Sequence, residues 1–242
     1  MREGKKFRKS VYITLSFIFV LWLVKIIETT YQIDLGYMGI KPLTLEGTLG
    51  ILTGPLVHGD LFHLISNSFP LLVLGVTFFY FYDRIAIAAF LVIYLMTGFW
   101  VWLAAREGFY HIGASGIVYG LLAFLLGSGF LRRDRTTLAI SFIMLFLYGG
   151  SFFMGMVPGD SHVSWESHLM GAVAGMFCAF YFRNVDVGLP KFKGFEPEDD
   201  ADSEQKKDIV YNYHYRPSAE QKDEEVYYLS FGSEDSEEEE TS

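Results

Sequence analysis

The sequence contains six long runs of apolar residues, and these runs limit the fold more than any other feature. A helix that crosses a bilayer needs about 20 predominantly apolar residues, whereas the helices of a soluble core are usually shorter and amphipathic. The runs occupy residues 10–28, 61–82, 85–105, 115–131, 136–157 and 167–183. They predict an all-α integral membrane protein, built as a bundle of six transmembrane helices.

The charged residues divide the chain into an apolar body and an acidic extension. Residues 1–190 hold 13 Lys and Arg against 11 Asp and Glu, a net charge of +2, whereas residues 191–242 hold 6 against 17, a net charge of −11. We therefore predict a basic N-terminus over 1–9, a six-span domain over 10–190 and a disordered acidic tail over 191–242, which is a candidate for binding a cytoplasmic partner. Nucleic acid is not an expected partner, because no basic stripe is present to bind phosphates.

The positions of lysine and arginine predict the orientation of the bundle, since these residues are enriched in cytoplasmic loops. Five basic residues precede the first run, and an arginine cluster at 132–135 follows the fourth. Both termini are therefore expected in the cytoplasm, and the connections 29–60, 106–114 and 158–166 outside. Lys25, near the outer end of the first run, is expected to extend its ammonium to the interface.

Strongly polar side chains inside membrane spans are rare and usually functional. In three of the runs such residues gather at the predicted outer end, where they can share one water-accessible cavity. They are His58, His63, Asn67, Ser115 and His168. A serine with a histidine in hydrogen-bond reach forms the nucleophile and the general base of a serine hydrolase.

The neighbours of these residues favour the same chemistry. Ser115 begins a run between Gly113 and Gly116, where the free amides of a helix start stabilise a developing negative charge. His63 and Asn67 lie four residues apart on one helix face, from which they can donate hydrogen bonds to an oxyanion.

Small residues on the fourth and sixth runs predict close packing of these two helices. Gly116 and Gly120 are four residues apart, as are Gly171 and Gly175, and such pairs let helix backbones approach each other. Close approach is expected to bring the serine and the histidine together.

Tyr119 lies one turn deeper than Ser115 and is expected to pack under the ring of His168. No Asp or Glu stands at an obvious third position. We therefore expect a Ser–His dyad, in which packing by Tyr119 replaces the orienting carboxylate of a triad.

Together these residues resemble the motifs of the rhomboid family of intramembrane serine proteases. The matching residues, in order, are His58, His63-x-x-x-Asn67, Gly113-x-Ser115-Gly116-x-x-Tyr119 and His168-x-x-Gly171-x-x-x-Gly175. The resemblance covers residues 10–183 and implies a six-helix bundle in a bacterial plasma membrane that cleaves transmembrane protein substrates near the outer surface.

The resemblance also implies a role for each matched residue. Ser115 would be the nucleophile and His168 the general base. Asn67, His63 and the amide of Ser115 would form the oxyanion hole. His58 would have a structural or water-retaining role, and Tyr119 would stack on the catalytic histidine.

The connection 29–60 departs from the family pattern. Many bacterial rhomboids carry a Trp-Arg pair in this loop, whereas residues 29–60 contain neither Trp nor Arg. The sequence therefore leaves the anchoring of this loop open.

Other functions fit the sequence less well. No metalloprotease motif and no pair of intramembrane aspartates is present, so we expect neither a metal nor another cofactor. A transporter or channel would place charged groups near the middle of the membrane. A catalytically silent rhomboid-like protein that binds transmembrane helices or clients is the main alternative, and the intact Ser115, His168 and Asn67 argue against it. For His111, in an outer loop, we expect a solvated or loop-packing role.

Overall fold

The computed structural model describes residues 2–158 and 164–187, and this part of the chain is helical. The helices are α1 (Arg2–Tyr31), α2 (Leu45–Thr53), α3 (Leu61–Phe81), α4 (Ala86–Ala104), α5 (Ser115–Arg132), α6 (Arg135–Gly155) and α7 (Trp165–Tyr181). Short 3-10 segments, Gly36–Met38 and Gly54–Leu56, flank α2. The described residues form no β-strand, only an isolated bridge between Ile40 and His111, as expected for an all-α protein.

Five of the helices, α1, α3, α4, α5 and α6, are long and apolar enough to cross a bilayer. The sixth predicted run corresponds to α7, which has 17 residues, one fewer than α5. The protein is therefore a multi-pass integral membrane protein, while the count of six crossing helices stays a prediction. The predicted disorder of the acidic tail, 191–242, lies outside the described residues.

The first helix begins earlier than the apolar run. α1 extends over 30 residues, so the basic residues that precede the run form its first turns. The connection that follows contains α2, which sequence analysis did not predict. Thr44 caps α2, and its hydroxyl accepts a hydrogen bond from the Gly47 amide at 3.1 Å.

The N-terminal halves of α5 and α7 pack backbone against backbone. An added Cβ at Gly171 would overlap the backbone of Gly116, and one at Gly175 would overlap that of Gly120. An added Cβ at Gly116 would lie 3.1 Å from the carbonyl oxygen of Ser167. The close approach expected from the glycine spacing is therefore present, and it places the N-termini of both helices at one level.

A buried lysine of α1 anchors the connection between α1 and α3. Lys25 Nζ lies 2.6 Å from Glu28 Oε2 and donates hydrogen bonds to the carbonyl oxygens of His58, at 2.9 Å, and Gly59, at 3.0 Å. The residue is only 9% exposed. The ammonium of Lys25 thus binds carbonyl groups of the protein, and its extension to the membrane interface stays a prediction. This contact holds the loop that lacks a Trp-Arg pair.

Further contacts fasten the same connection to the loop between α4 and α5. Ile40 and His111 exchange two backbone hydrogen bonds, of 2.9 and 2.8 Å. Trp102 Nε1 donates to the Thr44 carbonyl at 2.9 Å. His111 is buried, so it has the loop-packing role rather than the solvated one.

We predict that Gly171→Leu lowers the unfolding temperature in mild detergent far more than Gly150→Leu. A side chain at position 171 would meet the α5 backbone, and over-packing typically costs about 1–3 kcal/mol. Nothing lies within 4 Å of an added Cβ at Gly150. Unfolding can be followed by a thiol-reactive dye, because the single cysteine, Cys178, is buried. Equal unfolding temperatures would contradict the backbone contact.

We also predict that Lys25→Met destabilises the protein strongly. The substitution leaves the Glu28 carboxylate buried without its partner, and breaking a buried ion pair costs about 3–5 kcal/mol. The double variant Lys25→Met/Glu28→Gln should recover part of the loss, because it removes the uncompensated charge. Lys41→Met is the matched control, since the Lys41–Glu46 pair is solvent-exposed and such pairs contribute about 0–1 kcal/mol. Thermal unfolding and limited proteolysis within residues 32–60 measure these effects, and equal losses for Lys25→Met and Lys41→Met would refute the anchoring role.

Candidate active site

Ser115 is the first residue of α5 and is half-buried. Two residues earlier, Gly113 has a φ of +103°, which glycine adopts without the steric cost that a side chain would add. An added Cβ at Gly113 would also lie 2.6 Å from Cε1 of His63. Both the backbone conformation and the neighbouring ring therefore require glycine at the turn that leads into Ser115.

The first backbone amides of α5 are free. Within the described chain the amides of Ser115 and Gly116 donate to no acceptor, as is usual in the first turn of a helix. The preceding amide, of Ala114, donates to Nε2 of His58 at 3.3 Å. The start of α5 thus offers two unpaired donors at the positive end of the helix dipole.

A carbonyl group and an aromatic ring hold His168 in place. Its Nδ1 donates a hydrogen bond to the Gly155 carbonyl oxygen at 2.7 Å. Because a carbonyl oxygen can only accept, Nδ1 carries the proton in the neutral ring, and Nε2 keeps its lone pair. The ring of Tyr119 stacks on the imidazole with 4.1 Å between centroids and 2° between planes. Phe152 stacks in turn on Tyr119, at 5.4 Å.

Ser115 and His168 lie on neighbouring turns of two contacting helices. Gly116, next to the serine, contacts the carbonyl group of Ser167, next to the histidine. Neither Ser115 Oγ nor His168 Nε2 makes a hydrogen bond to another described residue. Catalytic hydrogen bonds are often long in a free enzyme and tighten only when substrate binds. The structure therefore brings the starts of α5 and α7 together without a hydrogen bond between Ser115 and His168.

Helix α3 contributes the other polar groups predicted for the site. The ring of His63 contacts Gly113 and meets the ring of His58 edge-on, with 5.1 Å between centroids. Asn67 is buried, and its Nδ2 donates to the His63 carbonyl oxygen at 3.0 Å, which leaves one amide hydrogen free. Asp60 caps the helix by accepting from the His63 amide at 2.7 Å.

His58 precedes α3 and is 1% exposed. Burial, assisted by the nearby His63, lowers the pKa of His58 to about 4. The imidazole is therefore neutral at physiological pH and accepts the Ala114 amide hydrogen bond through Nε2. This contact connects the start of α3 with the residue before Ser115.

A second polar cluster, which sequence analysis missed, fixes the start of α7. Glu166 is buried and forms an ion pair with Arg106 from the α4–α5 loop. Nδ1 of His111 lies 2.7 Å from Ser164 Oγ, which also accepts the Ser167 amide at 3.2 Å and so caps α7. Burial lowers the pKa of His111, so this ring too is biased to its neutral form. The sequence contained one sign of this cluster, the acidic residue Glu166 two positions before His168.

The Gly155 carbonyl group was also missed. A backbone carbonyl group cannot be recognised from the residue type, but the glycine at this position reflects the close packing around it. An added Cβ at Gly155 would overlap the Tyr119 hydroxyl and lie 3.2 Å from His168 Nδ1.

Comparison with known proteins identifies the family. Residues 46–185 match the model of the rhomboid domain, a range that includes every predicted site residue from His58 to Gly175. An uncharacterized protein of Mycobacterium bovis is 37% identical over 174 residues, which cover 69% of this chain and 72% of the relative. An uncharacterized protein of Mycobacterium tuberculosis gives the same values, and one of Mycobacterium leprae is 34% identical over 179 residues, with 69% and 68% covered. The chain therefore belongs to the rhomboid family, which comprises intramembrane proteases and inactive homologues.

Proposed function

We propose that the protein is an intramembrane serine endopeptidase, in which Ser115 and His168 form a catalytic dyad that cleaves transmembrane protein substrates near the outer membrane surface. The state of His168 carries the proposal. Its Nδ1 donates a hydrogen bond to the Gly155 carbonyl oxygen, and its ring stacks on Tyr119. Nε2 is therefore the free basic atom. A histidine that only packs between helices does not need a fixed tautomer and an unpaired Nε2.

In the proposed reaction, a substrate helix unwinds locally at the start of α5 and presents a peptide carbonyl to Ser115. Oγ bonds to the carbonyl carbon while its proton passes to Nε2 of His168. The developing oxyanion accepts hydrogen bonds from the free amides of Ser115 and Gly116, with Asn67 and His63 as further donors. His168 then protonates the leaving amine as the C–N bond breaks, which leaves an acyl group on Ser115.

Water completes the reaction. His168 takes a proton from the water molecule, whose oxygen attacks the acyl carbon. Collapse of the second tetrahedral intermediate breaks the bond to Oγ, which takes up the proton from His168. The products are a carboxylic acid end, an amine end and the regenerated serine.

The distribution of basic residues supports an orientation with both termini in the cytoplasm, and the mycobacterial relatives support a bacterial plasma membrane. In this orientation Ser115 lies toward the outer surface. We propose that the acidic tail, residues 191–242, binds a cytoplasmic partner.

The alternative is a catalytically silent rhomboid-like protein that binds transmembrane helices or clients. Such a protein would keep the helix packing but would not need Ser115, His168 and Asn67 together. A serine-reactive fluorophosphonate distinguishes the two functions, because it reacts only with an activated serine.

We predict that Ser115→Ala abolishes cleavage of a transmembrane reporter in liposomes. Removing the nucleophile of a serine protease lowers the rate by about 10³-fold or more. Ser128→Ala is the matched control, since Ser128 is a buried serine in the last turns of the same helix, and this variant should cleave at the wild-type rate. Fluorophosphonate labelling should be lost in Ser115→Ala and in His168→Ala. Cleavage retained by a folded Ser115→Ala variant would disprove the proposal, and a folded wild-type protein that neither cleaves nor reacts would favour the silent alternative.

The stacking contact generates a separate prediction. Tyr119→Leu removes the ring under His168 and should lower kcat by about 10- to 100-fold, because small displacements of a catalytic group are costly. Tyr119→Phe keeps the ring and loses only the hydroxyl bond to the Ser151 carbonyl, of 3.0 Å, so it should keep most of the activity. Rates of reporter cleavage and of fluorophosphonate labelling measure both effects. Equal losses in the two variants would show that the hydroxyl, not the stacked ring, is important.

A further inference from the structure

An apolar groove lies between α1 and α4, outside the candidate active site. Its walls come from residues 13–20 of α1 and 87–91 of α4, its floor from residues 71–79 of α3, and Leu121 of α5 lies at its base. It encloses about 350 Å³, within the range of about 300–1,000 Å³ that is usual for small-molecule sites.

The lining of the groove suits a hydrocarbon chain. Phe90 meets Phe17 edge-on at 5.5 Å and lies 5.6 Å from Phe79, so aromatic rings form much of the surface. The hydroxyl of Thr14 donates to the Ser10 carbonyl oxygen at 2.9 Å and is therefore satisfied within α1. Ser16 is the other hydroxyl residue of the lining. A hydrated or charged ligand would find few partners here.

The size of the groove excludes a transmembrane helix as its occupant. A helix with its side chains is about 10–12 Å wide, whereas Phe17 of α1 and Phe90 of α4 are already in contact. A single extended hydrocarbon chain is narrow enough to lie along the contact between these two rings.

Two lysines mark one end of the groove. Lys9 precedes Ile13 by four residues and Ser16 by seven, so it lies on the face of α1 that lines the groove. Lys5 lies one further turn toward the N-terminus. Both are exposed, and neither takes part in an ion pair with any described residue, whereas Lys6 is paired with Asp83 at 3.3 Å. These free charges stand at the start of the apolar run, at the depth of the lipid head groups.

We propose that the groove binds one anionic phospholipid of the surrounding bilayer. An acyl chain lies between α1 and α4, and the phosphate group binds Lys9 and Lys5. The lipid fills the space between α1 and α4 and so stabilises the position of the helix that carries Lys25. The proposal does not depend on the protease function.

Photolabelling in nanodiscs tests the proposal. Wild-type protein is placed in phosphatidylcholine nanodiscs that contain a small fraction of phosphatidylglycerol with a diazirine on its acyl chain, and the labelled peptides are mapped by mass spectrometry. We expect the label on residues 13–20 and 87–91 to exceed that on residues 142–147, a lipid-facing segment of α6 with exposed apolar side chains. Unlabelled phosphatidylglycerol should compete, and unlabelled phosphatidylcholine should not.

Paired variants separate the groove from ordinary lipid contact. Ser16→Phe fills the groove and should remove most of its label, whereas Leu15→Phe, at the same depth on an exposed face of α1, should not. Lys9→Gln should weaken competition by phosphatidylglycerol about fivefold, the effect of one basic residue near an anionic surface. Leu91→Trp fills the groove from α4 and replaces Ser16→Phe if that variant does not fold.

The outcomes are distinct. Equal label on the groove and on α6, or label unaffected by either filling substitution, would show ordinary boundary lipid and overturn the proposal. Equal competition by the two lipids, or full competition in Lys9→Gln, would overturn the assignment of an anionic head group.

Discussion

The contact between the backbones of α5 and α7 fixes the separation on which the rest of the site depends. In a bilayer, lipid tails are as apolar as leucine, so helices associate through close packing and hydrogen bonds rather than through the hydrophobic effect. At Gly116, Gly120, Gly171 and Gly175, glycine lets the backbones of the two helices touch near their N-terminal ends. Because both helices begin at the same end of the bundle, this contact puts Ser115 and His168 at one depth. A side chain inserted there would move the helix starts apart and so prevent the proposed proton transfer from Ser115 to His168.

A backbone carbonyl group, in the place where a triad would have a carboxylate, orients His168, and two others help to hold Lys25. The Gly155 carbonyl oxygen accepts from His168, and those of His58 and Gly59 accept from Lys25. A carbonyl group fixes the tautomer of a histidine without adding a buried charge, which is costly within a membrane. It would stabilise the imidazolium of the proposed reaction less than a carboxylate would. The face of the Tyr119 ring compensates in part, because an aromatic face attracts a cation.

The sequence alone predicted those parts of the structure that the membrane thickness or the glycine spacing determines. The long helices α3 to α6 begin and end close to the predicted runs, since hydrocarbon sets their length and requires internal hydrogen bonds. The α5–α7 contact followed from spacing alone. Helix α2 was not predicted, because Gly47 and Gly50 are poor helix formers. Their lack of side chains nevertheless lets α2 pack against the backbone at Lys41 and Gly39. The buried position of Lys25 was unpredictable for a related reason, since two of its three partners are carbonyl groups of a loop with no regular pattern.

Helix α1 lies outside the range matched by the rhomboid domain, 46–185, but it is coupled to the site by a short series of contacts. Lys25 holds the carbonyl group of His58, and Nε2 of His58 accepts the amide hydrogen of Ala114. An imidazole can accept in this way only when Nε2 is unprotonated. Burial keeps the ring neutral by lowering the pKa of His58 to about 4, and the Ala114 amide selects the tautomer with its proton on Nδ1. Solvent entering at this corner would raise that pKa toward its ordinary value of about 6.5, so mildly acidic pH would then protonate the ring and remove the acceptor beside Ser115. The anchoring of the loop by α1 therefore also extends to lower pH the range over which His58 can position the start of α5.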